Sequence, residues 1–404
     1  MQLGIILAAL RKHRLATFLI AFEIALACAV LCNAIFMFME KRRALNLDSG
    51  VDESSLGIVQ LSGFSAENAN DINARVVGAI QAMQGVESVG VISAVPFGDP
   101  GVRAGVSTDE ALEHSGGVLD FYIGDAVALN SLGLKLLAGR MPEPAEYAPI
   151  EQYVPNNAPV LVTQQLAASY WPGQIPVGQS IWAMGTRFTV IGVVEHLVVS
   201  QPGGGEALGS DWSLIVPAVA GPQLAGRYVV RAKPQDLPRI FGQVGKAVSA
   251  AAPDVVFDHS GSRPLSELRS DYFRGAKVMM GLLAAVIVAL LGATALGIVG
   301  LASYWVEQRR KQIGIRRALG ATRTDILRYF QVENFLIVTA GIAAGSVLSY
   351  AMNLGLMQFY ELPRLPVAYL PISAVVMWLL GQVAVLVPAL KASAIAPTHA
   401  MRSY

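Results

Sequence analysis

The sequence contains four apolar segments that are each long enough to cross a lipid bilayer. A helix rises about 1.5 Å per residue, so about 20 apolar residues span a hydrocarbon core of about 30 Å. Of the 404 residues, 53% are apolar and only 15% are charged, whereas soluble proteins carry about 25% charged residues. We therefore predict an integral membrane protein with transmembrane helices over 15–39, 276–306, 329–359 and 369–390.

The first apolar segment predicts a retained anchor rather than a cleaved signal peptide. Arg11, Lys12 and Arg14 precede it, as basic residues would precede a signal sequence. However, the apolar core of a signal peptide is about 7–15 residues long, and this segment is longer. We therefore interpret it as the first membrane span.

Basic residues outside the spans cluster on one side of the predicted membrane. Seven Lys or Arg lie within the 24 residues 307–330, between the second and third spans. Lys391 and Arg402 follow the fourth span, and three more basic residues precede the first. Because cytoplasmic loops carry an excess of Lys and Arg, we place these clusters and both termini in the cytoplasm. The basic triplet 41–43 opposes this orientation, but the larger cluster outweighs it.

This orientation assigns each remaining segment to a side of the membrane. Residues 40–275 form a large domain outside the cytoplasm, and 360–368 form a short loop on the same side. Residues 307–328 are a cytoplasmic segment, and 391–404 are a cytoplasmic tail. The outer segment is long enough to form one or two hydrophobic cores of its own.

The large outer segment predicts a mixture of strands and helices. The stretches LGIVQLS and VGVISAVPF flank an amphipathic stretch, NANDINARVVGAIQAMQGV, which predicts a βαβ unit whose helix ends at Gly85. Farther along, QSIWAMGTRFTVIGVVEHLV predicts a hairpin that turns near Met184-Gly185-Thr186. The predicted fold class is an α-helical membrane protein with four transmembrane helices and an α/β (α+β) domain of two subdomains inserted between helices 1 and 2.

The sequence lacks the motifs of the common catalytic sites. It has no HExxH, GxSxG or CxxC, and no GxxxxGK[ST] phosphate loop anywhere. His196 and His259 are isolated, so we expect surface or hydrogen-bonded histidines rather than metal ligands. We therefore predict no catalytic residue, no metal site and no bound cofactor in this chain. A net charge of +1 also gives no indication of a nucleic-acid partner.

The basic segment EQRRKQIGIRRALGATRTDILRYF predicts two helices joined by a turn. Helix-forming residues continue from the second span through 307–319, and Gly320 then predicts a stop. Thr322 with Asp325 three residues later resembles a capping box that begins the third span. One interpretation of the charges is a topogenic cluster that rests on anionic lipid.

Apolar residues interrupt the charges in this segment, which favours a second interpretation, the docking of a soluble partner. A helix that offers Ile, Leu and Ala among Arg residues fits a groove on another protein. The predicted docking residues are Ile313, Gly314, Ile315, Arg316, Arg317, Ala318, Leu319, Gly320 and Thr322.

Two polar or small-residue features lie within the predicted spans. Glu23 is well inside the first span, where a carboxylate usually faces protein or water. It could be a gating or interface contact, or it could be purely structural. Gly341, Gly345 and Ser349 form a small-residue face that permits close helix packing, either within the chain or across a dimer.

The stretch EQRRKQIGIRRALGATRTDILRYFQVE resembles the cytoplasmic segment of the MacB/FtsX family of ABC transporter permeases. ALRKHRLATFLIAFEIAL is similar to the elbow helix and first span of that family, here residues 1–14 and 15–39. LGLKLLAGRMP, PVLVTQQLAASYWPGQIPVGQSIWAMGTRFTVIGVV and PALKASAIAPTHAMRSY resemble its periplasmic domain and C-terminus. The resemblance covers nearly the whole chain.

The resemblance implies how such a chain works and with what. Two permease chains pair, either identical or related, and an ABC ATPase that binds ATP and Mg²⁺ docks on the segment matching 307–328. Motion of the ATPase is then relayed to the periplasmic domain by mechanotransmission, in the inner membrane of a bacterium. An efflux system would add a periplasmic adaptor and an outer-membrane channel.

Departures from the family pattern leave alternatives open. MacB proteins carry an N-terminal ATPase domain, so we expect a separate ATPase subunit here. The lipoprotein-releasing branch has the same layout as an efflux permease and remains an alternative. A membrane-anchored scaffold that needs no ATPase is a third interpretation.

Overall fold

A computed structural model of the chain describes residues 14–111, 113, 115–203, 209–359 and 364–394. The chain divides into two compact units, residues 44–275 and a membrane unit formed by the rest. The predicted elbow before residue 14 and the tail beyond residue 394 lie outside the described residues.

The described part of the chain contains both α-helices and β-strands. The α-helices are α1 (Arg14–Leu45), α2 (Ala69–Gln81), α3 (Ala126–Ser131), α4 (Gln164–Tyr170), α5 (Leu237–Ala251), α6 (Leu265–Tyr272), α7 (Arg274–Gln308), α8 (Arg310–Ala318), α9 (Arg323–Phe359) and α10 (Tyr369–Ser393). The strands are β1 (Leu56–Ser62), β2 (Val86–Val91), β3 (Val102–Ser107), β4 (Ser115–Gly124), β5 (Leu136–Gly139), β6 (Pro159–Thr163), β7 (Ser180–Ala183), β8 (Thr186–Val194), β9 (Ser213–Pro217), β10 (Arg227–Ala232), β11 (Val256–Phe257) and β12 (Arg263–Pro264).

Four of the described helices, α1, α7, α9 and α10, are long and apolar enough to cross a membrane. Each contains one of the predicted apolar segments and continues beyond it through polar residues, because helical hydrogen bonding does not end at the membrane surface. The four helices share one apolar cluster, in which α1 is the most enclosed. α7 is the least buried of the four, since 17% of the residues in its most apolar stretch are buried.

The unit of residues 44–275, hereafter the outer domain, contains two sheets. The first has the strand order β11-β1-β10-β2, with β12 also paired to β1. β1 and β2 flank α2, as predicted, but they are not neighbours, because β10 lies between them and is antiparallel to both. The predicted βαβ unit is therefore split by a strand that comes more than a hundred residues later in the chain. The helix also ends at Gln81 rather than at Gly85, which lies in the turn that follows.

The second sheet has the order β5-β8-β6-β9-β4-β3-β7, and β7 also pairs with β8, so the pairing runs in a closed circuit. β7 and β8 form the predicted hairpin, which turns at Met184 and Gly185. Both residues have positive φ, 51° and 76°, as a two-residue type I′ turn requires. The two sheets and the four membrane helices confirm the predicted fold class.

Hydrophobic patterning explains how the outer domain folds. α2 buries one face at helical spacing, through Ala69, Ile72, Asn73, Val76 and Ile80. β6 and β9 are inner strands and read as continuous apolar runs. One contiguous apolar cluster contains residues of both sheets, so the outer domain has a core of its own.

Candidate functional site

The basic segment begins with a break in the helix of the second span. We expected helical residues to continue through 307–319, but α7 ends at Gln308 and α8 begins at Arg310. Between them, Arg309 has φ −99° and ψ 7°, which are not regular helical values. The Arg309 N–H still donates to the Trp305 carbonyl at 3.0 Å. The break is therefore confined to one residue.

Arg309 is fixed by a buried ion pair with α9. One guanidinium nitrogen donates to the two carboxylate oxygens of Glu333, at 2.9 and 2.8 Å. Only 10% of the Arg309 side chain and 1% of the Glu333 side chain are exposed. The guanidinium also lies 5.7 Å from the centroid of the Trp305 ring. Since a buried charge is tolerated only with a partner, the pair holds the start of α8 against α9.

Gly320 ends α8, as the sequence predicts. Its φ is +100°, a left-handed conformation that favours glycine. The Gly320 N–H donates to the Arg317 carbonyl, and the Ala321 N–H donates to the Arg316 carbonyl, both at 3.1 Å. These two bonds are those of a Schellman motif, which satisfies the last carbonyls of the helix.

The predicted capping box at the start of α9 is also confirmed. The Thr322 N–H donates to the Asp325 carboxylate at 3.0 Å, and the Asp325 N–H donates to the Thr322 hydroxyl oxygen at 3.2 Å. The hydroxyl itself donates to the same carboxylate at 2.6 Å. Both sides of the turn are therefore capped, which fixes the angle between α8 and α9.

The inner face of α8 is packed against the membrane helices. Ile313 is 5% exposed, and Gly314 is also buried. Ile313 belongs to a small apolar cluster with Val306, Ile326, Phe330, Ala389 and Ala392. Of the predicted docking residues, these two therefore lie inside the unit and support the surface rather than form it.

The outer face of α8 carries two exposed apolar side chains. Ile315 is 51% exposed and Leu319 is 83% exposed. Arg316 lies between them in sequence, with its guanidinium 4.9 Å from the centroid of the Tyr329 ring. The remaining predicted docking residues are also at least partly exposed, namely Arg317, Ala318, Gly320 and Thr322. The surface therefore combines apolar side chains with fixed positive charge.

Glu23 lies at the contact between the first and second spans. A Cβ atom added to Gly297 of α7 would come within 2.5 Å of the Glu23 carboxylate. The Glu23 carboxylate thus lies directly over the backbone of α7 at Gly297. The sequence had given no partner for Glu23.

The small-residue face of the third span packs against the first span of the same chain. A Cβ atom on Gly341 would lie 2.7 Å from the Ile24 side chain, and one on Gly345 would lie 2.7 Å from the Ala25 carbonyl oxygen. The Asn33 amide donates to the Ser349 hydroxyl oxygen at 3.2 Å. Of the two alternatives, the structure thus shows packing within the chain.

Buried polar groups in the outer domain hold a segment, residues 195–203, that we call the strap. The Ser200 N–H and hydroxyl both donate to the Asp120 carboxylate, at 2.7 and 2.6 Å. Burial raises the pKa of Asp120, and these two bonds oppose that rise. The Tyr122 hydroxyl donates to the Val198 carbonyl at 2.7 Å. The strap is therefore fixed to β4.

His196 in the strap is a hydrogen-bonded histidine, as expected. It lies 2.8 Å from the Asp211 carboxylate, and that hydrogen bond raises the pKa of His196 above its usual 6.5. Among the described residues, no group of three or more His, Cys, Asp or Glu side chains is arranged to hold a metal ion.

The charge pattern of the sequence does not predict the ion pair that fixes the candidate site. In that pattern Arg309 is one of seven positive charges, and nothing marks Glu333 as its partner. A carboxylate within the first turns of an apolar span is a signal that could have been used, because such a group needs a partner.

Two family models match the chain. The MacB-like periplasmic core domain matches residues 17–252, and the FtsX-like permease C-terminal model matches residues 283–397, which include α8. The first match alone covers more than half of the chain. The chain therefore belongs to the MacB/FtsX family of ABC transporter permeases.

Individual relatives are distant. A macrolide export ATP-binding/permease protein MacB 1 of Aeromonas hydrophila is 26% identical over 67% of this chain and 41% of its own length. An uncharacterized ABC transporter permease, YknZ of Bacillus subtilis, is 22% identical over 80% of this chain and 78% of its own. Across four MacB relatives, the aligned part is 27% to 52% of their length.

Among solved structures, the periplasmic region of MacB from Actinobacillus actinomycetemcomitans is similar over 55% of this chain and 94% of that chain. The sequence identity is 14% and the TM-score is 0.35. The family assignment follows from the two family models.

Proposed function

We propose that this permease relays ATP-driven motion of a separate ABC ATPase to its outer domain. The observation that carries the proposal is the outer face of α8, where Leu319 is 83% exposed among Arg residues. An exposed leucine on a capped, basic helix fits an apolar groove with an acidic rim on a soluble partner. ATP and Mg²⁺ would bind to that partner.

The attachment of α8 supports force transmission rather than a flexible tether. The Arg309–Glu333 ion pair fixes its start, the Schellman motif fixes its end, and Ile313 packs its inner face. A rigid element transmits a displacement to the helices behind it, whereas a solvated loop would absorb it. In this proposal, α8 moves with α7 and α9.

The remaining parts of the proposal concern the wider assembly. We place α8 and both termini in the cytoplasm and the outer domain in the periplasm, on the positive-inside rule. The MacB relatives are named for macrolide export, and we propose an export system for this chain too. Its expected partners are a second permease copy, identical or related, a periplasmic adaptor and an outer-membrane channel.

The decisive experiment is purification of the tagged permease from its native host in mild detergent, with mass spectrometry of the proteins that co-elute. Leu319→Asp should abolish co-elution of a P-loop ATPase, because it puts a charge in the centre of the apolar contact. The cost to stability should be within about 0.5 kcal/mol, since the side chain is exposed.

Ile175→Asp is the matched control. Ile175 is 77% exposed but lies in the outer domain, so this variant should retain the ATPase. If the folded wild-type permease brings down no ATPase, or Leu319→Asp retains it at normal strength, the docking proposal fails. Co-elution of an adaptor would support export, whereas acyl chains bound between the first two spans would support lipoprotein release instead.

A further inference from the structure

Arg269 ties together the two places where the chain enters and leaves the outer domain. It lies on α6, just before the second span, and donates to the carbonyls of Leu45 at 2.8 Å and Leu47 at 2.6 Å. It also forms an ion pair with Glu53, farther along the entering segment. The Arg269 side chain thus contacts one carboxylate and two carbonyls of residues that lie 216 to 224 positions earlier in the sequence.

The bond to Leu45 is a helix cap. Leu45 is the last residue of α1, so its carbonyl has no partner within the helix. A guanidinium at that position satisfies the carbonyl and complements the negative end of the helix dipole. The residue that precedes the second span therefore closes the end of the helix of the first span.

A strained aromatic residue holds the Arg269 guanidinium from the other side. Phe97 has φ +62°, a left-handed conformation that is unfavourable for a bulky side chain, and it is 4% exposed. Its ring centroid lies 5.0 Å from the Arg269 guanidinium carbon, and that of Phe273 lies 5.7 Å away. Backbone strain of this kind persists only where the surroundings enforce it, and it clusters at active sites, ligand clamps and switch regions.

The strap adds a second tie between the same two segments. The Tyr272 hydroxyl, on α6, donates to the Pro202 carbonyl at 2.7 Å. At the other end of the strap, the Val198 N–H donates to the Ser49 carbonyl at 3.1 Å. Both ties are made within the outer domain.

We propose that Arg269 is a positioning residue that makes the entering and leaving segments move as one body with the outer domain. We name Arg269, Glu53, Phe97 and Phe273, with the carbonyls of Leu45 and Leu47, the clamp. The inference rests on the proposed function, because it concerns how motion from the spans reaches the outer domain. Without the clamp, the strap would still join the two segments, but Arg269 would no longer hold the end of α1 at Leu45.

The test uses the full-length permease with its co-purified ATPase in lipid nanodiscs, with and without ATP and vanadate. Amide hydrogen exchange is followed in two regions, the entering segment 44–56 and the β7–β8 hairpin of the second sheet. In the wild type, both regions should respond to trapping with vanadate. In Arg269→Met, the response of the hairpin should fall by at least about fivefold, the lower end of ordinary coupling between sites.

Three further variants separate coupling from stability. Arg269→Lys keeps the charge but not the planar fork that reaches two carbonyls, so it should restore part of the response. Arg274→Met removes a neighbouring arginine that is 74% exposed, and its response should match the wild type. Glu53→Gln is a milder change and takes the place of Arg269→Met if that variant does not fold. It should also reduce the response of the hairpin.

Two results would overturn the inference, and they are distinguishable. A hairpin that responds normally in folded Arg269→Met, or in Glu53→Gln if that variant alone folds, shows that the clamp does not couple the segments to the domain. A wild-type complex with no response in the hairpin overturns the proposed function itself, and the clamp with it.

Discussion

The Arg309–Glu333 pair joins residues that are 24 positions apart and almost completely enclosed. Each partner alone would be a buried charge without compensation, and the two together neutralise each other. Such pairs contribute little net stability compared with apolar residues of similar volume, whereas removal of one partner alone is strongly destabilising. At the scale of single residues, this pair therefore holds the start of α8 against α9.

Removing one member of this pair should destabilise the membrane unit. Glu333→Gln should cost about 3–5 kcal/mol, because it leaves Arg309 buried without a countercharge. The double variant Arg309→Met/Glu333→Leu should recover most of that loss. Thermal unfolding of the detergent-solubilised permease measures both effects.

Arg310→Met provides the control for this comparison. Arg310 pairs with Glu307, but both side chains are more than half exposed, so its loss should cost at most about 1 kcal/mol. A double variant that is no more stable than Glu333→Gln would show that the pair acts in some way other than charge compensation.

At the same scale, sequence reasoning succeeded where the chemistry is local. Gly320 as a helix stop and Thr322 with Asp325 as a capping box depend on neighbours within a few residues. The prediction that Ile313 lies on the docking surface was wrong, because the spacing along α8 does not show which face the other helices cover. The contacts of Arg269 were also not predictable, because its partner Leu45 lies 224 residues earlier in the sequence.

Among elements, the contact of α1 with α9 shows what small residues do in a membrane helix. Gly341 and Gly345 bring the backbones together, and Ser349 receives a hydrogen bond from Asn33 at the same interface. In lipid, such close packing replaces the hydrophobic effect as the main source of helix association. The two spans should therefore separate only when this interface is disturbed.

A single methyl group should be enough to disturb it. A Cβ atom at position 345 would lie 2.7 Å from the Ala25 carbonyl oxygen, which is backbone and cannot rotate away. Gly345→Ala should therefore cost about 1–3 kcal/mol. Thermal unfolding in detergent measures the loss.

Gly292→Ala is the matched control, because nothing lies within 4 Å of its added Cβ atom. Alanine is the better helix former, so this variant should be as stable as the wild type or slightly more stable. Equal losses in the two variants would contradict the packing argument.

In the outer domain, the sequence predicts individual strands and helices but not the order of the strands in a sheet. The β7–β8 hairpin was predictable, because a two-residue turn joins its strands directly. The order of the first sheet was not, because β10 pairs with β1 and β2 across more than a hundred residues. Patterning predicts that a strand exists, and only the folded chain determines which strands become neighbours.

At the scale of the whole molecule, the proposed orientation places α8 and the outer domain on opposite sides of the membrane. Thr322→Cys should resist a membrane-impermeant maleimide in spheroplasts, and Ile175→Cys should react with it, because the first would face the cytoplasm. Both positions are exposed, and native Cys28 and Cys32 are buried, so background labelling should be low. Mass spectrometry of the purified chain measures the labelling.

Permeabilised cells provide the control, since both engineered cysteines should then react. Labelling of Thr322→Cys in intact spheroplasts, with Ile175→Cys protected, would invert the proposed topology. The docking proposal would then fail as well, because α8 would face away from any source of ATP.

Arg269 also has a consequence for the ancestry of such chains. Because its guanidinium reaches Leu45 and Leu47, the polypeptide enters and leaves the outer domain within the length of one side chain. A domain with adjacent ends can be inserted into a membrane hairpin without displacing the helices on either side. Residues 44–275 thus form a domain that can be exchanged as a unit. Evolution could replace the outer domain without changing the part of the permease in the membrane.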